Sequence, residues 1–154
     1  MSVDTSSIAQ VRAMPPSFEL QVRKLYAACH PNWDTPSPYW FHAYPTLVIV
    51  EDELVAYSSY GMNTSDDGSL AIFLQDTGVA PQARGRGLSR VLMNARLAIG
   101  RSMGAKFAVG MTQPDNKPMH GLLKSIGFRE IAVAPNVYTN VRPHLDGVVF
   151  LLDL

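Results

Sequence analysis

The chain has 154 residues, 47% of them hydrophobic, which is enough for one domain with a proper core and too few for two comfortable ones. Thirteen acidic and thirteen basic residues leave no formal net charge, which excludes a nucleic-acid binder that relies on a broad basic face. A single cysteine, Cys29, excludes an internal disulfide framework.

Residues Ser6 to Ala13 alternate around Ile8 and Val11 and predict a first edge strand. Pro15-Pro16 breaks it, and Ser17 is the expected N-cap of a helix running to about Cys29. Phe18, Val22, Leu25 and Tyr26 make that helix's buried stripe, and His30-Pro31 ends it. Asn32 to Tyr44 gathers Trp33, Tyr39, Trp40, Phe41 and Tyr44, with His30 and His42 nearby. It reads either as a short helix whose rings cap the core or as one wall of a substrate pocket. Thr46 to Glu51 and Leu54 to Gly61 pair around a turn at Glu51-Asp52-Glu53, and Asn63 to Gly68 is a polar loop.

Ser69 to Leu74 is an apolar run that predicts a buried strand, and Leu88, Val91, Leu92, Ala95 and Ile99 fall at helical spacing. Lys106 to Thr112 is another strand, and Asp115 or Asn116 caps the helix beyond it, with Pro118 in its first turn. Phe128 to Val133 and Gly147 to Leu152 are closing strands. Pro135 to Asp146 reads as a long polar connection with reach toward another subunit or the site. No stretch approaches the roughly 20 apolar residues of a membrane span, and no secretory signal is visible, so a cytoplasmic location is expected.

The most informative stretch is Val79-Ala80-Pro81-Gln82-Ala83-Arg84-Gly85-Arg86-Gly87-Leu88-Ser89-Arg90, between the apolar strand and the periodic helix. A helix start carries unpaired backbone N–H groups and the positive end of a dipole, so it is a ready anion site. Gly85 and Gly87 remove side chains that would keep a phosphate from those amides, and Arg84, Arg86 and Arg90 add fixed charge. The stretch reads as a pyrophosphate cradle. It is not a P-loop, because no G-x-x-x-x-G-K-[ST] string occurs, and it is not a dinucleotide fingerprint, because Arg90 stands where the last glycine belongs.

This stretch resembles the acetyl-CoA loop of the GNAT superfamily of acetyltransferases, R/Q-x-x-G-x-G/A, with Val79 and Pro81 at the usual distance before it and Ser89 at the last small position. A second block, Asn116-Lys117-Pro118-Met119 followed by Leu122 to Phe128, is similar to that superfamily's last helix, which begins at an asparagine and ends in Gly-Phe. The resemblance implies an α/β fold of the α+β type: a mixed, mostly antiparallel sheet of six to seven strands flanked by about four helices, in a single N-acetyltransferase-like domain spanning 1–154. It implies acetyl-CoA, or another short acyl-CoA, as acyl donor, with no metal. Thr77, Gly78 and Val79 would pair with the pantetheine arm, the Val79 amide would meet the thioester oxygen, and Arg84 to Arg90, including Leu88 and Ser89, would hold the pyrophosphate. Asn116 matches the asparagine that contacts the cofactor arm. Trp33, Tyr39, Trp40 and His42 fall in the segment that meets the acyl acceptor in the superfamily. Dimers are frequent among similar proteins, so a homodimer is expected to be possible.

Transfer of an acetyl group to an amine needs the amine deprotonated and the oxyanion stabilised. Asp76 is the first candidate base, with a structural carboxylate bonded to the following loop as the competing reading; His42, His120 and Glu53 come after it. The tyrosine that commonly protonates the departing thiolate falls, by register, at Leu123, which cannot donate a proton. The expected function is an acetyl-CoA-dependent N-acyltransferase acting on a primary amine of a small molecule or an exposed protein amine by direct attack. A non-catalytic acyl-CoA-binding or regulatory module of the same fold is the alternative. No residue pattern names the acceptor.

Overall fold

The computed structural model describes residues 11–31, 33, 44–138 and 144–154. Within these lie seven strands in one sheet of order β1-β2-β3-β4-β5-β7-β6 and three α-helices. The strands are β1 (Val11–Ala13), β2 (Thr46–Val50), β3 (Leu54–Thr64), β4 (Leu70–Val79), β5 (Phe107–Thr112), β6 (Arg129–Tyr138) and β7 (Leu145–Asp153). The helices are α1 (Glu19–Cys29), α2 (Leu88–Ser102) and α3 (Lys117–Ile126). β4 and β5 pair in parallel; β1 with β2, β2 with β3, β5 with β7 and β6 with β7 pair antiparallel. The place for a fourth helix, Asn32 to Tyr44, falls outside the described residues except for Trp33 and Tyr44.

Contacts divide the chain into two compact units. The first holds β1, α1, β2, β3 as far as Tyr60, β4 from Asp76 onward and α2 as far as Arg96. Here β2 and β3 turn at Glu51–Glu53, where the Glu51 N–H donates to the Glu53 carbonyl at 3.0 Å. Helix α1 buries Val22, Leu25 and Tyr26, spaced three, four and one apart on a single face. Ser17 is not its cap. Pro16–Phe18 forms a 3-10 turn that runs straight into α1, so the N-cap residue of α1 is Phe18 in helical geometry, and the extended residue falls earlier, at Pro15, whose side chain cannot cap. The helix stops at His30, ahead of Pro31, which disfavours helical geometry in the residue before it.

The second unit holds the rest of β3 and β4, the end of α2, and β5, α3, β6 and β7. In α3, Asn116 accepts from the Met119 N–H at 3.4 Å, and Gly127 closes the other end at φ 116°, a left-handed conformation. Leu123 is buried, with its Cδ2 3.7 Å from where a Gly110 side chain would begin. Of the connection expected from Pro135 to Asp146, both ends are strand: β6 continues to Tyr138 and β7 starts at Leu145, while residues 139–143 lie outside the described residues. Pro135 sits beside an irregularity in the ladder rather than ending it. Asn136 takes a positive φ of 52° there, and its N–H donates to the Asp146 carboxylate at 2.9 Å. Such a bulge on an edge strand tolerates proline, which the sequence pattern alone treats as a stop.

Two features of this frame bear on function. β4 runs five residues past the end of the apolar run, to Val79. Its parallel register with β5 ends at Leu74 opposite Gly110, so Gln75 to Val79 continue beyond that ladder.

Candidate functional site

At the end of β4 the Ala80 N–H donates to the Val55 carbonyl at 2.8 Å, turning the chain into a 3-10 turn at Pro81–Ala83. Ala83 is buried under that turn. Gly85 and Gly87 follow at φ +79° and +77°, a region that side-chain-bearing residues avoid. Nothing lies within 4 Å of where a side chain on either glycine would begin, so the backbone there is open to an approaching group. The Gly87 carbonyl accepts the Val91 N–H at 3.1 Å and starts α2, whose buried Leu88 anchors the first turn. The amides of that first turn have no acceptor within the helix.

A groove of about 430 Å³ runs along this segment. Thr77, Gly78 and Val79 line it from the strand, and Arg84, Gly85, Gly87, Leu88 and Ser89 from the loop and helix start. Cys29 and His30, at the end of α1, complete it. Burial lowers the His30 imidazole below its usual range. The Val79 carbonyl is already engaged: Arg84 Nε donates to it at 3.2 Å and the Cys29 thiol at 3.6 Å. Eight of the residues expected to hold an acyl-CoA therefore share one groove. An anion fits that surface, because glycine backbone, a helix start and the Arg84 guanidinium lie along it.

Other expected residues are placed differently. Arg86 makes a two-pronged ion pair with the exposed Glu51 carboxylate, including Nη1 to Oε2 at 3.2 Å, and holds that carboxyl below its usual range. Glu53 accepts from the Gln82 side chain at 3.2 Å. Arg90 is exposed on the first turn of α2. The Asn116 carbonyl oxygen is occupied in capping α3, and His120 is buried, with Nε2 3.0 Å from the Gln113 carbonyl. Trp33 stacks at a tilt against Tyr138, ring centroids 5.6 Å apart. Tyr39, Trp40 and His42 lie outside the described residues.

Asp76 is on β4, one residue before the groove-lining Thr77. Loss of solvent pushes its carboxyl up to about 6, against the opposing pull of the Arg96 guanidinium. Ser58 Oγ bonds its main-chain oxygen at 3.1 Å, not its carboxylate. Tyr57 is fully buried beside it, and its phenol is raised by burial and then by the Asp76 charge. The Tyr57 hydroxyl has no hydrogen-bond partner among the described residues. A carboxyl that titrates near 6 is mostly ionised at neutral pH and still basic enough to take a proton.

Sequence reasoning overlooked Tyr57 and Arg96. Arg96 follows Leu88 and Leu92 at four-residue steps, so the helical stripe itself carried the signal that this arginine faces inward. Gly78 shows why Tyr57 matters: a side chain there would begin 2.3 Å from Tyr57 Cε1. Gly78→Ala is expected to destabilise the protein by about 1–3 kcal/mol through overpacking. Its melting temperature should fall measurably, and truncating the ring in a Tyr57→Leu background should remove most of the penalty.

Residues 14–128 match the family model described as the acetyltransferase (GNAT) family. The chain belongs to the GNAT acetyltransferase family. The L-amino acid N-acyltransferase MnaT of Escherichia coli strain K12 is 31% identical over 121 residues, covering 75% of this chain and 70% of MnaT. The fold is also that of Arabidopsis thaliana NAA60 solved with acetyl-CoA, at 15% identity and TM-score 0.83, covering 94% of this chain and 97% of that one. Arabidopsis thaliana Naa50, solved with the bisubstrate analogue CoA-Ac-MVNAL, gives TM-score 0.81 at 17% identity, with the same coverage. Among the described residues no helix is long and apolar enough to cross a membrane.

Proposed function

We propose that this GNAT protein, as a single catalytic domain, transfers an acetyl group from acetyl-CoA to a primary amine by direct attack. The observation that carries the reading is local: one strand, β4, supplies the Thr77–Val79 lining of the groove and, immediately before it, a carboxyl raised to about 6. Acetyl-CoA supplies the activated acyl group. Gly85, Gly87 and the first amides of α2, with Arg84, bind its diphosphate; Thr77 to Val79 orient the arm; and the Val79 N–H stabilises the oxyanion. A lysine-like amine at pH 7 is neutral in about one molecule in 2,500, a penalty of roughly 4.6 kcal/mol. The neutral amine attacks, and Asp76 takes the proton it sheds as the bond forms, which lowers the barrier of the attack and leaves the amine's own ionisation in the pH profile.

Arg86 is placed by its Glu51 ion pair to hold the loop against the β2–β3 turn, leaving Arg84 as the groove's own guanidinium. The acceptor is a small molecule or an exposed protein amine, and an amino acid amine is favoured, because the relative at 31% identity is named for L-amino acids. Leu123, buried in the second unit, donates no proton, so the thiolate leaves unaided or is protonated by water. Thiol release from acetyl-CoA, followed across a panel of amino acids, polyamines and short peptides, tests the proposal. Acceptor-dependent release is expected. Binding of acetyl-CoA without release for any acceptor would favour a non-catalytic acyl-CoA module.

A further inference from the structure

Arg96 is the largest fully buried side chain among the described residues. It occupies a position on the inward stripe of α2 where leucine or methionine would pack without desolvating a charge, and burying a guanidinium is costly unless its donors are satisfied. Nη1 donates to the Ser59 carbonyl at 3.1 Å, Nε to the Leu92 carbonyl at 3.4 Å, and Nη2 to Thr77 Oγ1 at 3.3 Å. Thr77 Oγ1 is in turn 2.8 Å from Ser58 Oγ, which donates to the Asp76 main-chain carbonyl at 3.1 Å.

Proton bookkeeping gives this chain a direction. A guanidinium can only donate. The single Ser58 proton goes to the Asp76 carbonyl, so Ser58 must accept from the Thr77 hydroxyl, which accepts from Arg96. All three bonds run one way, from Arg96 through Thr77 and Ser58 to the backbone of Asp76. They converge on β4 just past Leu74, where the register with β5 ends.

We infer that Arg96 is a positioning residue: through the Thr77 and Ser58 hydroxyls it fixes the Asp76–Thr77 backbone, and so sets the aim of the Asp76 carboxylate and of the groove-lining strand toward the thioester. The inference rests on the acetyltransferase reading above. Its charge also pulls on the Asp76 carboxyl, which faces Arg96 from α2 and Tyr57 from β3, with Cys29 and Tyr26 of α1 around that phenol.

The test compares Arg96→Met, Arg96→Lys and Thr77→Val by thermal melting, by calorimetric titration with acetyl-CoA, and by kcat across pH 5–9 with the best amine. Arg96→Met is expected to fold and to lose about 10- to 100-fold in kcat, the scale of a misplaced catalytic group. Its acidic limb should move above pH 6, because the cation that favours the ionised carboxylate is gone. Arg96→Lys should recover part of the rate and return the limb toward 6. Thr77→Val breaks the relay but keeps the cation; its kcat should fall while its limb stays put, and it carries the test if Arg96→Met does not fold. Wild-type kcat and limb in folded Arg96→Met, or wild-type kcat in Thr77→Val, would overturn the inference. Acetyl-CoA binding without turnover in the wild-type protein would instead sink the acetyltransferase reading, and the inference with it.

Discussion

Asp76→Asn is expected to lower kcat by about 10²–10⁴, the range that a general base contributes, with little change in acetyl-CoA affinity. The pH profile separates this from a general loss of fit. Below its own pKa, the acceptor amine gives log(kcat/KM) a slope of one. The Asp76 carboxyl adds a second unit of slope below about pH 6, where it protonates. The Asn variant should keep a slope of one throughout.

Stability should move the opposite way. A carboxyl near 6 in the folded state and near 3.9 unfolded contributes stability below pH 4 and loses it as pH rises through 6. Above that, the buried charge is a standing cost, so Asp76→Asn should stabilise the protein at pH 8 by on the order of 1–2 kcal/mol. A variant that is slower yet melts higher marks a group kept for chemistry rather than for folding. Unchanged kcat with an intact second slope would remove Asp76 from the mechanism.

Gly87→Asp is expected to weaken acetyl-CoA binding by a factor on the order of 10⁴. Two effects combine. At φ +77° a side-chain-bearing residue pays about 1–2 kcal/mol in backbone strain. A carboxylate placed about 4 Å from a phosphate adds roughly 4 kcal/mol of repulsion at an effective dielectric of 20. Gly87→Ala isolates the first effect, because the space where its side chain would begin is open. Raising the salt concentration should shrink the Asp penalty and leave the Ala penalty in place. Equal affinity in wild type and Gly87→Asp, measured by titration or as KM for acetyl-CoA, would place the diphosphate elsewhere.

The strand–loop–helix core was legible because its signals are local. Ser69 to Leu74 is continuously apolar, Gly85 and Gly87 punctuate the turn, and Leu88 to Ile99 repeat at helical spacing. The continuation of β4 to Val79 was less visible, since Gln75, Asp76, Thr77 and Gly78 carry no apolar pattern; Ser58 bonds that stretch instead, at the Asp76 carbonyl and the Thr77 hydroxyl. Pro135 misled in the other direction, because the bulge that tolerates it depends on Asp146, ten residues away.

Charge on the loop was legible as composition but not as geometry. Three arginines in seven residues say that an anion is near, yet Arg86 is drawn to Glu51, thirty-five residues earlier. Of the two caps the sequence offered for α3, Asp115 or Asn116, the structure uses Asn116. Arg96 and Tyr57 escaped notice because neither belongs to a motif, and what each meets is fixed only when α2 and β3 pack beside β4.

The central claim is that the amides of the Gly85–Gly87 loop and the start of α2 hold a diphosphate. Calorimetric comparison of acetyl-CoA with S-acetylpantetheine, which carries the same thioester arm without the diphosphate, tests it most directly. Acetyl-CoA should bind one per chain, with a dissociation constant of about 1–100 μM, the range of common substrate affinities. S-acetylpantetheine should bind at least about 100-fold more weakly, since each charge-assisted hydrogen bond is worth roughly 1.5–3 kcal/mol. Equal affinity for the two, or no heat with acetyl-CoA, would contradict the account.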